Sequence, residues 1–125
     1  MLELYQFRHS AFCLKVRMAL QAKGLSYKSV EVIPGIGQIK VFRLSGQRKL
    51  PILIDEDNII SDSSEIISYL ESKKSSPQLF PDDPKEAAQA HLIEDWADTT
   101  LATAARNALL RAAVQDESLR VALLP

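Results

Sequence analysis

The stretch LELYQFRHSAFCLKVRMALQAKGLSYKSVEVIPG, Leu2 to Gly35, decides the fold. LELYQF alternates apolar and polar residues, the period-2 pattern of a half-buried strand. After the polar break Arg8-His9-Ser10, residues Ala11 to Lys23 read as a helix. Val16, Met18 and Leu20 are expected to face a core, with Lys15, Arg17 and Lys23 in solvent. Gly24 ends that helix, as a left-handed C-terminal glycine does. SYKSVEVI alternates again and stops at Pro34-Gly35. Strand, helix and strand at this spacing predict a parallel βαβ unit.

Further along, GQIKVFRL reads as a short helix and LPILID as a strand opening on Pro51. EDN is a turn and NII begins the return strand, so a hairpin is expected. SDSSEIISYLESKK is a helix with Ser61 or Asp62 as its cap and Glu65 three residues beyond Asp62. The order βαβ followed by αββα is thioredoxin-like, over roughly residues 1–75. KSSPQLFPDDP carries three prolines and two serines, which marks a linker at 76–84. From 85 to 125 the composition turns alanine-rich and reads as helices. The fold class is thus an α/β thioredoxin-like domain (βαβαββα), then a helical part.

Bulk properties exclude several functions. The chain has 125 residues, 46% hydrophobic and 25% charged, with formal net charge −1. That balance gives no electrostatic footprint for nucleic acid or an anionic membrane. No apolar run reaches the ~20 residues of a membrane-spanning helix. Two histidines, His9 and His91, and one cysteine show no metal-site spacing. A single cysteine and no leader-like N-terminus fit a reducing cytoplasm.

Three places can carry chemistry. Ser10 lies just before the first helix, close to its positive end. There a helix terminus and a hydroxyl would stabilise a thiolate. Lowering a thiol pKa by ~2 units requires ~2.7 kcal/mol in favour of the anion. Cys13, one turn into the helix, is either a second thiol candidate or a small buried apolar residue. Arg8 is a possible anion-stabilising group, and His9 a base or a solvated corner residue. Pro51, with no N–H for a ladder, either opens a strand in trans or forms a cis Leu50–Pro51 bond. In the latter case Leu50 turns its backbone outward to pair with an extended peptide. SDSSE is a plain helix cap, a carboxylate site at a helix N-terminus, or both.

The order of these segments carries more than each alone. SAFCLKVR (Ser10–Arg17), KLPIL (Lys49–Leu53), SDSSEII (Ser61–Ile67), then LFPDDP and an alanine-rich helix with Trp96, resemble the glutathione transferase superfamily. Among its branches the chain looks most similar to bacterial members with Ser or Cys at the first-helix corner, of a cyanobacterial chi-like kind. The resemblance implies a glutathione-binding first domain and the first part of an all-helical second domain, cut short at Pro125.

It further implies that Ser10 stabilises the thiolate, with Arg8 and Cys13 as alternatives. Leu50 would pair with the cysteinyl backbone beside a cis Pro51. Asp62 and Ser63 would hold the γ-glutamyl carboxylate, and Arg48 would reach the glycyl carboxylate. Ala11 departs from the family's usual proline after the catalytic position. Tyr5 lies near the strand position where tyrosine-type members keep their hydroxyl. The implied activity is conjugation of glutathione to small electrophiles, without metal, by a cytoplasmic homodimer. A glutathione-dependent thiol oxidoreductase and a non-catalytic binding module are the competing readings.

Overall fold

The structure, a computed structural model, describes residues 1–47 and 49–124. The chain divides into two compact units, Met1–Leu79 and Phe80 onward. The first contains β1 (Leu2–Gln6), α1 (Ala11–Ala22), β2 (Tyr27–Glu31), α2 (Gly37–Ser45), β3 (Ile52–Asp55), β4 (Asn58–Ser61) and α3 (Ser63–Lys73). The second holds α4 (Pro84–Trp96), a π-helical turn (Ala97–Leu101), α5 (Ala102–Gln115) and α6 (Glu117–Ala122). Both the thioredoxin-like order and the helical part that follows it match the sequence expectation.

The sheet runs β2-β1-β3-β4. β1 and β2 are parallel, whereas β3 is antiparallel to both β1 and β4. Alternation along the strands divides the core in two. On one face Tyr5 and Ile52 pack with Val32 and with Val41 of α2. On the other, Leu4 pairs with Leu53, and both are fully buried. Gln6 shares that second face and bonds Arg17 of α1, so α1 covers it. α3 packs against α1 there, contributing the buried Ile66, Ile67 and Leu70. Each such aliphatic side chain removed from water stabilises the fold by roughly 1.5–3 kcal/mol.

Helix α1 corrects part of the sequence reading. Val16 and Leu20 are fully buried as expected, but Met18 is 60% exposed and Lys23 is 0% exposed. The helical period explains both. Positions 13, 16, 20 and 23 follow one stripe, and position 18 lies on the opposite side. A lysine on the buried stripe requires acceptors. Lys23 Nζ donates to the carbonyls of Lys74 (2.5 Å) and Pro77 (3.0 Å) and is ion-paired with Glu71. Lys74 Nζ returns a bond to the Lys23 carbonyl at 2.6 Å. Gly24 follows at φ 61°, and Leu25 N–H reaches the Leu20 carbonyl, which closes the helix as expected.

A second buried charge lies at the far end of β3. Asp55 Oδ2 accepts from Lys73 Nζ (2.5 Å) and from Tyr69 Oη (2.6 Å). These bonds hold the Asp55 carboxyl below the usual carboxylate range and push Lys73 and Tyr69 up. In the second unit Phe80 stacks on His91 with ring centroids 4.3 Å apart. Asp83 caps α4 through the Glu86 N–H, with Pro84 at the first helical position. Among the described residues no helix is long and apolar enough to cross a membrane.

Two stability measurements follow from the buried charges. Lys23→Met leaves Glu71 and two carbonyls without their cation, and should lower the unfolding free energy by about 3 kcal/mol. The change should appear as a lower urea midpoint at unchanged slope. For Asp55 the lowered folded pKa gives stability present above the unfolded value, near 3.9, and lost as pH falls through the folded value. For Lys73 and Tyr69 the raised folded pKa gives stability present below their unfolded values, near 10, and lost as pH rises through the folded values. Urea midpoints across pH should therefore drop at both extremes, and Asp55→Asn should flatten both limbs.

Candidate functional site

Strand pairing gathers the sequence-selected residues at one end of the sheet. Tyr5 pairs with Ile52, and Ile52 with Ser61. Beyond that row β1 continues into the corner Phe7–Ser10, β3 is preceded by Leu50–Pro51, and β4 runs into Asp62–Ser63. The Tyr5–Val30 pair places the end of β2, with Glu31, at the same edge. Ser10, Leu50, Pro51, Asp62 and Ser63 thus share one edge of the fold. Arg48 lies outside the described residues.

Each residue is placed by a local device. Ser10 is the N-cap of α1, and its Oγ accepts the Cys13 N–H at 3.4 Å. A capping hydroxyl uses a lone pair for the helix and keeps its proton for an outside acceptor. Ser10 is half-buried, whereas Arg8 and His9 are exposed, and Arg8 Nε donates to His9 Nε2 at 3.0 Å. Cys13 is fully buried, and burial pushes its thiol up against the hydrogen bonds that would lower it. A thiol so placed stays protonated and is a poor nucleophile.

The Leu50–Pro51 bond is cis. Pro51 is buried, and Leu50 packs beside Tyr5, Val32, Val41 and Ile52. At the next corner Asp62 caps α3, its Oδ1 accepting from the N–H groups of Ser64 (2.9 Å) and Glu65 (3.3 Å). Asp62 holds φ 73°, ψ 127°, a backbone region that side-chain-bearing residues rarely occupy. Ser63 is 4% exposed.

Three residues not assigned to the site from the sequence, Lys15, Gln6 and Arg17, join this edge. Lys15, read as a solvated face of α1, instead bonds Ser64 Oγ (3.0 Å) and Ser63 Oγ (3.4 Å). It puts an ammonium beside the N-terminus of α3. Gln6 is buried and accepts from Arg17 Nη1 (2.5 Å), while its Nε2 donates to Ser29 Oγ (2.9 Å) and Glu31 Oε2 (3.3 Å). Arg17, also read as solvated, therefore points inward. One signal for Gln6 was present: it is the polar member of the inward set Leu2, Leu4, Gln6. Lys15 and Arg17 depend on partners from α3, from β1 and from the corner after β1, which no local pattern reveals.

Comparison with known proteins gives the family of this fold. Residues 4–78 match the family described as glutathione S-transferase, N-terminal domain. A glutathione S-transferase of Pseudomonas putida is 34% identical over 71% of this chain and 40% of its own length. A stringent starvation protein A homolog of Pasteurella multocida is 27% identical over 95% of this chain and 60% of its own. Among solved structures, a Burkholderia glutathione transferase homolog with bound glutathione is 28% identical, with a TM-score of 0.72. That match covers 94% of this chain and 69% of the other. The chain belongs to the glutathione S-transferase family, and it spans about half the length of the curated relatives it matches.

The α3 cap offers a direct check. Asp62→Ala removes an acceptor from two helix N–H groups and should cost about 1 kcal/mol in urea unfolding. Asp62→Asn keeps an acceptor oxygen and should cost less than half as much.

Proposed function

We propose that this chain binds glutathione at the described edge of the sheet, lowers its thiol pKa through Ser10, and presents the thiolate to a small electrophile. The observation that supports this most is Ser10 at the N-cap of α1, on the same edge as the cis Leu50–Pro51 pair and the Asp62–Ser63 corner. Glutathione is an extended tripeptide with two carboxylates and one ammonium, and the edge offers a counterpart to its parts. The Leu50 backbone pairs with the cysteinyl residue as an added strand would. The α3 N-terminus, with the Ser63 hydroxyl and the Lys15 ammonium, takes the γ-glutamyl carboxylate. Asp62, expected with Ser63 on that carboxylate, is itself a carboxylate that accepts from the Ser64 and Glu65 N–H groups, so in this reading it takes the neighbouring ammonium instead. Arg48, by its place before Lys49-Leu50, takes the glycyl carboxylate.

The chemical step is attack of the thiolate sulfur on the electrophilic carbon. A carbon–sulfur bond forms, and the leaving group departs with its electron pair. The Ser10 Oγ–H donates to the sulfur and so favours the anion, while the α1 N-terminus adds its partial positive charge. A hydrogen bond to a charged group contributes about 1.5–3 kcal/mol, or one to two pKa units. Cys13, buried and protonated, does not supply the nucleophile a thiol oxidoreductase needs. Arg8, exposed and bonded to His9, ranks behind Ser10. In this reading residues 1–75 form the glutathione-binding domain, 76–84 the linker and 85–125 part of the helical domain. The whole protein works as a cytoplasmic homodimer without metal.

The test is a titration of the thiolate absorbance of bound glutathione. We expect a bound pKa at least one unit below that of the free thiol, with Ser10→Ala returning it toward the free value. A bound pKa that stays low in Ser10→Ala would move the role to Arg8. An absence of glutathione binding would leave a non-catalytic module on the same fold.

A further inference from the structure

The corner Phe7–Ser10 is a short run with little burial of its own: Arg8 and His9 are exposed, and Phe7 and Ser10 are half-buried. The backbone of Arg8 is nevertheless gripped from two sides, through the two peptide groups that flank its Cα. The Arg8 N–H donates to Glu31 Oε1 of β2 at 2.7 Å. The Arg8 carbonyl accepts from Arg17 Nη2 of α1 at 3.1 Å. The two gripping side chains are joined behind the corner by Gln6, which accepts from Arg17 Nη1 and donates to the Glu31 carboxylate. Ser29 Oγ also accepts from the Gln6 Nε2 amide. A closed bracket results, from β2 through Gln6 to α1, with the corner backbone between its jaws.

We infer that Gln6, Arg17 and Glu31 are positioning residues, a bracket that fixes the β1–α1 corner and so aims the Ser10 hydroxyl. This role rests on the reading of Ser10 as the thiolate donor. None of the three touches the proposed substrate. Their effect reaches Ser10 through two residues of backbone and through the Ser10 N–H, which donates to the Phe7 carbonyl at 3.0 Å. Arginine is required at position 17 for its geometry. Its planar fork reaches Gln6 Oε1 and the Arg8 carbonyl together, whereas a lysine ammonium carries the charge on one point. Gln6 is required because one amide must accept from a cation and donate to an anion. A glutamate there would face Glu31 with like charge, and an apolar residue would take the acceptor from Arg17 Nη1 and leave only the Arg8 carbonyl on Nη2.

The chain carries its own reporter for this corner. Cys13, its single thiol, lies fully buried beneath the corner, with its N–H on Ser10 Oγ. Any opening of Phe7–Ser10 exposes it. The experiment compares the full chain with Arg17→Lys, Arg17→Met and Glu31→Ala, and uses Lys28→Ala, a surface substitution on β2, as control. Two quantities are read. The first is the rate of Cys13 modification by an aromatic disulfide reagent across a urea series, where a urea-independent rate reports local opening and a urea-dependent one reports unfolding. The second is the pKa of the bound glutathione thiol.

We expect urea-independent modification to quicken by about tenfold in Arg17→Lys, Arg17→Met and Glu31→Ala, the equivalent of one lost charge-assisted hydrogen bond. Lys28→Ala should match the unsubstituted chain. The bound thiol pKa should rise by about one unit in the same three variants, while affinity for S-methylglutathione, which has no thiol, stays within about twofold. Full rescue by Arg17→Lys would overturn the bracket, because charge alone would then suffice. Unchanged Cys13 modification in a protein that binds glutathione would overturn the bracket and leave the reading of Ser10 standing. Failure of the unsubstituted chain to bind glutathione would overturn the reading of the site and this role with it.

Discussion

A lysine ammonium sealed from water sets the frame of the first unit. Lys23 Nζ finds its three acceptors on one short run of chain: the Glu71 carboxylate on α3 and the carbonyls of Lys74 and Pro77 beyond it. Burying an ion without partners is prohibitive, so the end of α1, the end of α3 and the start of the linker must converge on one point. With that end fixed, the opposite ends of the same helices are held in register. There Lys15 of α1 meets Ser63 and Ser64 of α3. Two lysines two helical turns apart thus bolt α1 to α3 at both ends, and the apolar contacts of Val16, Leu20, Ile66 and Leu70 fill the space between.

The site follows from that frame and from sheet order. A central β1, parallel to β2 and antiparallel to β3, sends the exit of β1, the entry of β3 and the exit of β4 to one edge. Two of these are corners where a helix begins, and a helix start offers unsatisfied N–H groups and positive potential. The third is a proline that cannot continue the ladder. One edge therefore collects two anion-favouring corners and one exposed strand backbone, which suits an anionic extended tripeptide.

Much of this was legible in the sequence because the governing patterns are local. Period-2 alternation found β1 and β2, the EDN turn between apolar runs found β3 and β4, a Gly and a Pro-rich run found the breaks, and Asp62 with Glu65 marked the start of α3. Ser10 was legible as the residue just before α1, and Asp62, with Ser61, as a cap candidate for α3, because a helix start is marked by only a few neighbouring residues. The reading failed where a polar side chain acts at long range. Lys23, Arg17 and Lys15 look alike on the surface of an isolated helix. Their burial or engagement depends on Glu71, Gln6 and Ser63, which lie far along the chain or on another element. Met18 erred for the complementary reason: an apolar residue was assigned to the core by its chemistry, although the helical period places it opposite Val16 and Leu20.

The position of β1 between β2 and β3 also bears on how the unit assembles. The hairpin β3–β4 and its helix α3 use near neighbours in sequence, and such contacts form within microseconds. The β1–β2 pair with α1 is likewise a local unit. Joining the two requires Leu2 to meet Asp55 across most of the domain's length. Loop closure on that scale is an entropic barrier that neither half can lower alone. The ladder between β1 and β3, which creates the shared edge, therefore carries the largest loop-closure cost of the three ladders, and the binding edge exists only once the two halves have docked.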